Sequence, residues 1–208
     1  MVNNRIKTRQ IVVLLCCLLA SCSKLKQWVY QGIDRDQWQQ PDKVIAALHI
    51  QQGAEIADLG AGGGYFTFYL AKATGSNGKV YAVDIDKGTN ELIAAKAKKD
   101  GVNNVTTILA KSDDPRLPNS GVDLIFTCNT YHHFDNRIGY FSSLRQYLKP
   151  SGRIAIIDFD RRAWLEGLLR HYTPSEFIKR EMEQAGYTLQ LEPTFLDRQS
   201  FLIFAPKR

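Results

Sequence analysis

The chain has 208 residues, enough on a prior of roughly 100–200 residues per domain for one domain with a short extension. Hydrophobic residues make up 44% and charged residues 23%, ordinary globular values that exclude a disordered tail protein, a collagen-like repeat and a disulfide scaffold. The formal charge is +6 and falls to +3 without Arg5, Lys7 and Arg9 of the acid-free first ten residues, too little to argue for nucleic acid as a partner.

Met1 to Gln10 is polar and basic, and Ile11 to Ala20 (IVVLLCCLLA) is an unbroken apolar run before Ser21 and Cys22. A basic head, a short apolar stretch and small residues form the pattern of a secretory signal peptide. Such a run reaches across only about half of a bilayer core, so it is too short for a transmembrane helix. Leu19-Ala20-Ser21-Cys22 resembles the lipobox of bacterial lipoproteins. That resemblance implies a signal peptide over 1–21, acylation of Cys22, a tether over 22–33, and a lipid-anchored place on a membrane facing the periplasm. An uncleaved anchor that keeps the domain on the cytoplasmic side is the alternative. After cleavage, with Cys22 blocked by lipid, only Cys128 remains as a thiol, so no internal disulfide is expected. No Cys/His cluster stands at zinc spacing, and no metal is expected.

The domain is expected over 34–208. A helix starts near Pro41 with Val44, Ile45 and Leu48 on one face, and Gln51-Gln52-Gly53 ends it. Strands and helices then alternate. Glu55 to Leu59 is a strand and Tyr65 to Ala73 a helix. Lys79 to Val83 is a strand, and Thr89 to Lys99 a helix closed by Gly101. Val105 to Leu109 and Val122 to Cys128 are strands. Ile138 to Leu148 is a helix ended by Pro150 and Gly152, and Arg153 to Phe159 is a fifth strand. Short Val/Ile/Leu-rich strands separated by helices or long crossovers read as a parallel sheet covered on both faces. Thr173-Pro174-Ser175-Glu176 reads as a capping box opening a helix that Gly186 stops. Tyr187 to Leu191 and Ser200 to Ala205 are too close in sequence for a parallel crossover, so they pair antiparallel.

The first strand runs into Asp58-Leu59-Gly60-Ala61-Gly62-Gly63-Gly64-Tyr65-Phe66, and the acid Asp84 ends the second strand. Glycines let the main chain turn sharply and approach a ligand, and the next helix start offers unpaired N–H groups. A loop, a helix and an acid placed to accept ribose hydroxyls describe an adenosine site at the carboxyl ends of a parallel sheet. The dinucleotide pattern G-x-G-x-x-G/A fails, because Tyr65 or Thr67 stands at its last position. The loop reads instead as G-x-G-x-G.

These residues resemble the class I S-adenosylmethionine-dependent methyltransferases. Ala57 to Gly64 is similar to their first motif, Val80 to Asp86 to the second, and Asn129-Thr130-Tyr131-His132-His133-Phe134 to the fourth. Leu148-Lys149-Pro150-Ser151-Gly152-Arg153 is similar to the turn before strand five, with serine at 151 where the family has glycine. The resemblance implies a Rossmann-like α/β fold. Its seven-stranded sheet is mostly parallel with a C-terminal antiparallel hairpin, and helices cover both faces. It implies S-adenosylmethionine as cofactor and carries roles over residue by residue. Gly60, Gly62 and Gly64 pass close to the methionine part, and Asp58 orients its ammonium. Asp84 holds the ribose hydroxyls and Ile85 covers the adenine. Asp113 meets the adenine amino group, with a one-residue slip of register left open, and Asn129 lines the site with its carbonyl.

Methyl transfer is a displacement in which the cofactor carries the reactivity, and a base is needed only where the acceptor must lose a proton. His132 and His133 are the candidates for that base, against packing or hydrogen bonding. Tyr131 and His171 are candidate substrate contacts, His171 also reading as a helix-start residue. Cys128 reads as a buried small hydrophobe. Asp34 to Pro41 either lids the cofactor or caps the first helix, and Arg161-Arg162 reads as a solvated pair. The expected activity is methylation of a small-molecule acceptor. The alternative, prompted by the export signal, is a membrane-anchored adenosine-ligand-binding module without catalysis.

Overall fold

The computed structural model describes residues 34–119, 121–163 and 172–207. Asp36–Arg208 forms one compact unit, and the other, Met1–Arg35, lies almost wholly outside the described residues. The expected signal segment, the tether with Cys22, and His171 also fall outside them.

Seven strands form one sheet: β1 (Glu55–Leu59), β2 (Lys79–Asp84), β3 (Val105–Leu109), β4 (Val122–Cys128), β5 (Leu148–Phe159), β6 (Tyr187–Leu191) and β7 (Gln199–Pro206). Their order is β3-β2-β1-β4-β5-β7-β6. The first five are parallel, and β7 runs antiparallel to both neighbours. Six α-helices are described: α1 (Arg35–Gln39), α2 (Pro41–Leu48), α3 (Tyr65–Thr74), α4 (Lys87–Asp100), α5 (Arg137–Ser143) and α6 (Ser175–Gln184). This is the expected architecture, and strand order reverses between β1 and β4, where ligands bind in open sheets of this kind.

Alternation along the strands sends side chains to two cores. Val44, Leu48, Phe66 and Leu70 of α2 and α3 cover Ile56, Leu124, Phe126 and Ile157 on one face. Phe141, Ile178 and Met182 of α5 and α6 cover Leu59, Ile125, Ile154 and Ile156 on the other. The central strands are buried on both sides, which explains why they read as apolar runs rather than alternating ones.

Several local expectations change. α2 ends at Leu48, because His49 takes the left-handed conformation and returns its N–H to the Ala46 carbonyl; Gly53 serves the following turn instead. α4 starts two residues early, capped by Asp86, whose side chain accepts from the N–H groups of Gly88 and Thr89. The helix expected over Ile138 to Leu148 is α5 followed by a 3-10 turn at Leu144–Tyr147. The capping box does not form. Pro174 is the cap residue and makes no side-chain cap bond. Val122 pairs with Leu148 and Leu124 with Arg153, so the Lys149–Gly152 stretch loops out of register as its Pro and Gly suggest.

Candidate active site

The loop after β1 is built from three left-handed glycines, Gly60 (φ 70°), Gly62 (φ 53°) and Gly64 (φ 79°). The N–H groups of Gly60 and Ala61 both donate to the Val83 carbonyl, at 2.8 and 3.2 Å, which ties the loop to the end of β2. Gly60 is also pressed against the β4 exit. A Cβ there would lie 2.8 Å from Cβ of Thr130 and closer still to its Oγ1 and Cγ2. The first and fourth motifs therefore meet at one point.

Asp84 is aimed by the main chain. Its Oδ2 accepts from the Gly62 N–H at 2.8 Å and its Oδ1 from the Asp86 N–H at 2.9 Å. A carboxylate has about four lone-pair sites, so both oxygens keep capacity for a ribose diol. Ile85 beside it is 68% exposed, an apolar surface with no internal purpose. Leu109, the register partner of Asp84 on β3, is 44% exposed. Sequence reasoning passed over Leu109, because an apolar residue ending a strand reads as core. Asp58 is nearly buried and accepts from the Thr67 hydroxyl at 2.6 Å.

The two acids after β3 differ in what they do. Asp114 accepts from the Arg116 N–H and the Tyr147 hydroxyl, and those two bonds hold its carboxyl below the usual range. Asp113 is exposed and makes no hydrogen bond among the described residues. Asp114 fastens the loop, and Asp113 stays exposed beside it.

At the β4 exit the expected residues separate. Asn129 is left-handed (φ 56°), donates its N–H to the Ile157 carbonyl and accepts on Oδ1 from Gln199. Tyr131 turns inward and does not stand where a substrate contact was expected. It is fully buried against Phe141, with its hydroxyl donating to Glu181 at 2.8 Å. Glu181 also takes two bonds from Arg137. Burial raises the Tyr131 hydroxyl and the Glu181 contact raises it further. Burial works against the Glu181 carboxylate, but the bonds from Arg137 and Tyr131 outweigh it and lower its value. His132 and His133 sit together on the turn Tyr131–His133, ring centroids 4.1 Å apart. His132 Nδ1 lies 2.8 Å from Oδ1 of Asp158 near the end of β5, a partner 26 residues away that no local pattern announces.

The Asp34 to Pro41 segment is neither a plain cap nor a loop. Gln40 precedes α2 without a side-chain cap bond and donates instead to the Phe195 carbonyl. Asp36 accepts from Tyr65 after the glycine loop, and Trp38 stacks on Phe159 at the end of β5. Fully buried Gln39 donates to Cys128 Sγ and Gln199 Oε1, both at 3.0 Å. Tyr65, Cys128, Phe159 and Gln199 all stand at the carboxyl end of the parallel strands, so α1 lies across that end. Arg161 pairs with Glu176, and Arg162 donates to the Gln199 carbonyl. A pocket of about 310 Å³ bordered by His49, Asp123 and Lys149 opens at the opposite end of the sheet, where Lys149 is paired with Asp123. Among the described residues no group of three or more His, Cys, Asp or Glu is placed to hold a metal.

A seven-stranded sheet of this order, with a glycine loop after β1 and an acid ending β2, has the Rossmann-like fold of S-adenosylmethionine-dependent methyltransferases. Comparison with known proteins agrees. Residues 56–152 match the family described as "Methyltransferase domain". A SAM-dependent methyltransferase of Aquifex aeolicus superposes with a TM-score of 0.79 at 24% identity, covering 89% of this chain and 96% of that one. Phosphoethanolamine N-methyltransferase 1 of Arabidopsis thaliana is 25% identical over 146 residues, 70% of this chain and 27% of that protein. The ubiquinone/menaquinone biosynthesis C-methyltransferase of Burkholderia vietnamiensis is 25% identical over 118 residues, 56% of this chain and 48% of that protein. The chain thus spans between about a quarter and a half of the length of these two relatives.

Proposed function

We propose that this protein is an S-adenosylmethionine-dependent methyltransferase acting on a small-molecule acceptor. The observation that carries the reading is the Asp84 carboxylate, held between the Gly62 and Asp86 N–H groups beside the exposed side chain of Ile85. A diol acceptor site and an apolar platform side by side fit a ribose and a purine. When bound, S-adenosylmethionine supplies an electrophilic methyl group on a sulfonium.

The chain's residues do the holding. Asp84 accepts from the ribose hydroxyls, Ile85 and Leu109 cover the adenine, and Asp113 accepts from its amino group. Gly60, Gly62 and Gly64 keep the main chain close to the methionine part, Asp58 orients the ammonium, and Asn129 borders the site. Helix α1 covers the mouth through Gln39 and Trp38 and excludes water. The acceptor is small, as the names of the two relatives suggest, one a phosphorylated amine and the other a quinone. Incubating the purified protein with labelled S-adenosylmethionine and a panel of amines, phenols and quinones tests this. Label in a small product supports it, and label in none overturns it.

The N-terminal sequence supports a second element of the reading. Cys22 after Leu19-Ala20-Ser21 is an acylation site, and the domain is lipid-anchored facing the periplasm. Several acyl chains at roughly 0.8 kcal/mol per buried methylene anchor stably. Cys22→Ala then abolishes incorporation of a labelled fatty acid and membrane retention. Unlabelled wild type with an intact Met1 points instead to an uncleaved anchor and a cytoplasmic domain. The export signal also motivates the rival reading, an anchored module that binds the cofactor without turnover. That rival predicts cofactor binding and no labelled product with any acceptor.

A further inference from the structure

One buried ionisable group stands apart from the residues given to the cofactor. Asp158, the penultimate residue of β5, is fully buried. Its Oδ1 lies 2.8 Å from His132 Nδ1, and its Oδ2 has no hydrogen-bond partner among the described residues. Burying a carboxylate with one oxygen unpaired costs several kcal/mol, and a hydrophobic residue would fill this place in β5 at no such cost. The pair stands at the chemical end of the sheet. Thr130, two residues before His132, places its hydroxyl 3.4 Å from the Gly60 carbonyl of the glycine loop.

An ionised carboxylate facing Nδ1 requires the proton there, which leaves the basic lone pair of a neutral imidazole on Nε2. This is the relation between a general base and the acid that orients it. Nearby, Glu181 takes Arg137 and Tyr131, and Asp135 is exposed. The second ring on the turn, His133, is exposed.

We propose that His132 is the general base of the reaction, that Asp158 is its positioning residue, and that the acceptor is therefore a nucleophile that must give up a proton, an amine or a hydroxyl compound. The acceptor's lone pair forms the new bond to the methyl carbon while the sulfur–carbon pair stays on sulfur. The proton the acceptor loses goes to Nε2 of His132. The imidazolium formed is held against the Asp158 carboxylate until its proton passes to water, so no further reactant is needed. The inference rests on the methyltransferase reading.

The test joins nitrogen-15 NMR of the His132 ring with kinetics on the full-length protein, in wild type and Asp158→Asn. Wild type is expected to carry its ring proton on Nδ1. An asparagine amide turned toward Nδ1 donates instead and moves the ring proton to Nε2, the wrong tautomer for a base. With 2-aminoethanol and catechol as probes, kcat is expected to fall about 10²–10⁴-fold, the contribution of a positioned base. KM and the affinity for S-adenosylhomocysteine should stay within about twofold, and Asp158→Glu should restore part of kcat. If Asp158→Asn does not fold, His132→Gln carries the same kinetic test. A ring proton on Nε2 in wild type, an unchanged tautomer in the variant, an unchanged kcat, or turnover of 2-mercaptoethanol alone would each overturn the proposal. Failure of wild type to bind S-adenosylhomocysteine would overturn the methyltransferase reading instead, and the tautomer measurement would still report on the pair.

Discussion

Gly60→Ala tests the contact between the β1 loop and the β4 exit. Gly60 holds a left-handed φ of 70°, a conformation that costs an L residue roughly 1–2 kcal/mol. The added Cβ would lie 2.8 Å from Cβ of Thr130, where carbon atoms pack comfortably at about 3.5–4.0 Å. Thr130 cannot swing away freely, because its hydroxyl bonds the Cys128 carbonyl at 3.1 Å. Overpacking of this kind costs about 1–3 kcal/mol. Together the two effects predict a loss of about 2–5 kcal/mol, a fall in Tm of roughly 5–20 °C for a chain of this size. Urea denaturation of wild type, Gly60→Ala, Thr130→Gly and the double variant separates the parts. The double variant should recover the steric share, a coupling of about 1–3 kcal/mol, and keep the backbone share. A Gly60→Ala protein within about 0.5 kcal/mol of wild type, or strictly additive variants, would refute the contact.

Glu181→Gln should cost about 1–3 kcal/mol by removing charge-assisted bonds to Arg137 and Tyr131. Because the folded carboxylate is held low, wild type should lose this advantage as pH falls through the folded value, and the two proteins should converge in acid, as denaturation midpoints across pH will report. Asp114→Asn should lower stability, since it fastens Arg116 and Tyr147. Asp113→Asn should leave stability unchanged and weaken cofactor binding; thermal melts with and without S-adenosylhomocysteine distinguish the two. Gln39→Leu should weaken the docking of α1, read as faster amide exchange over 36–39, because it removes the donors to Cys128 Sγ and Gln199 Oε1; exchange equal to wild type would contradict that role for Gln39.

β1 and β4 were legible because they are buried along almost their whole length, and the half-exposed β3 and β6 were legible from their β-branched and aliphatic residues between turn signals; all four keep the expected bounds. The antiparallel end followed from loop length alone. The meeting of the glycine loop with Asp84 was legible for a similar reason. Gly60 to Gly64 and Asp84 are each a local signal at the end of a strand, and the parallel sheet brings such ends together. The side-chain pairings across the β4 and β5 exits were not. His132 finds Asp158 from a neighbouring strand, and Gln39 finds Gln199 across 160 residues. Neither Asp158 nor Gln199 differs in sequence from an ordinary polar residue at a strand end. Tyr131 misled for the converse reason. It occupies a motif position, but the 3-10 turn points it at Glu181 on α6 rather than at the loop. The capping box failed because Pro174 itself took the cap position.

The central claim is that the β1 loop and Asp84 hold S-adenosylmethionine. Calorimetric titration of the purified protein with S-adenosylhomocysteine measures it directly. The account predicts binding at one site per chain, weakened by about 1.5–3 kcal/mol, roughly 10–150-fold in Kd, in Asp84→Ala. No heat of binding to wild type, or equal affinity in the variant, would contradict it.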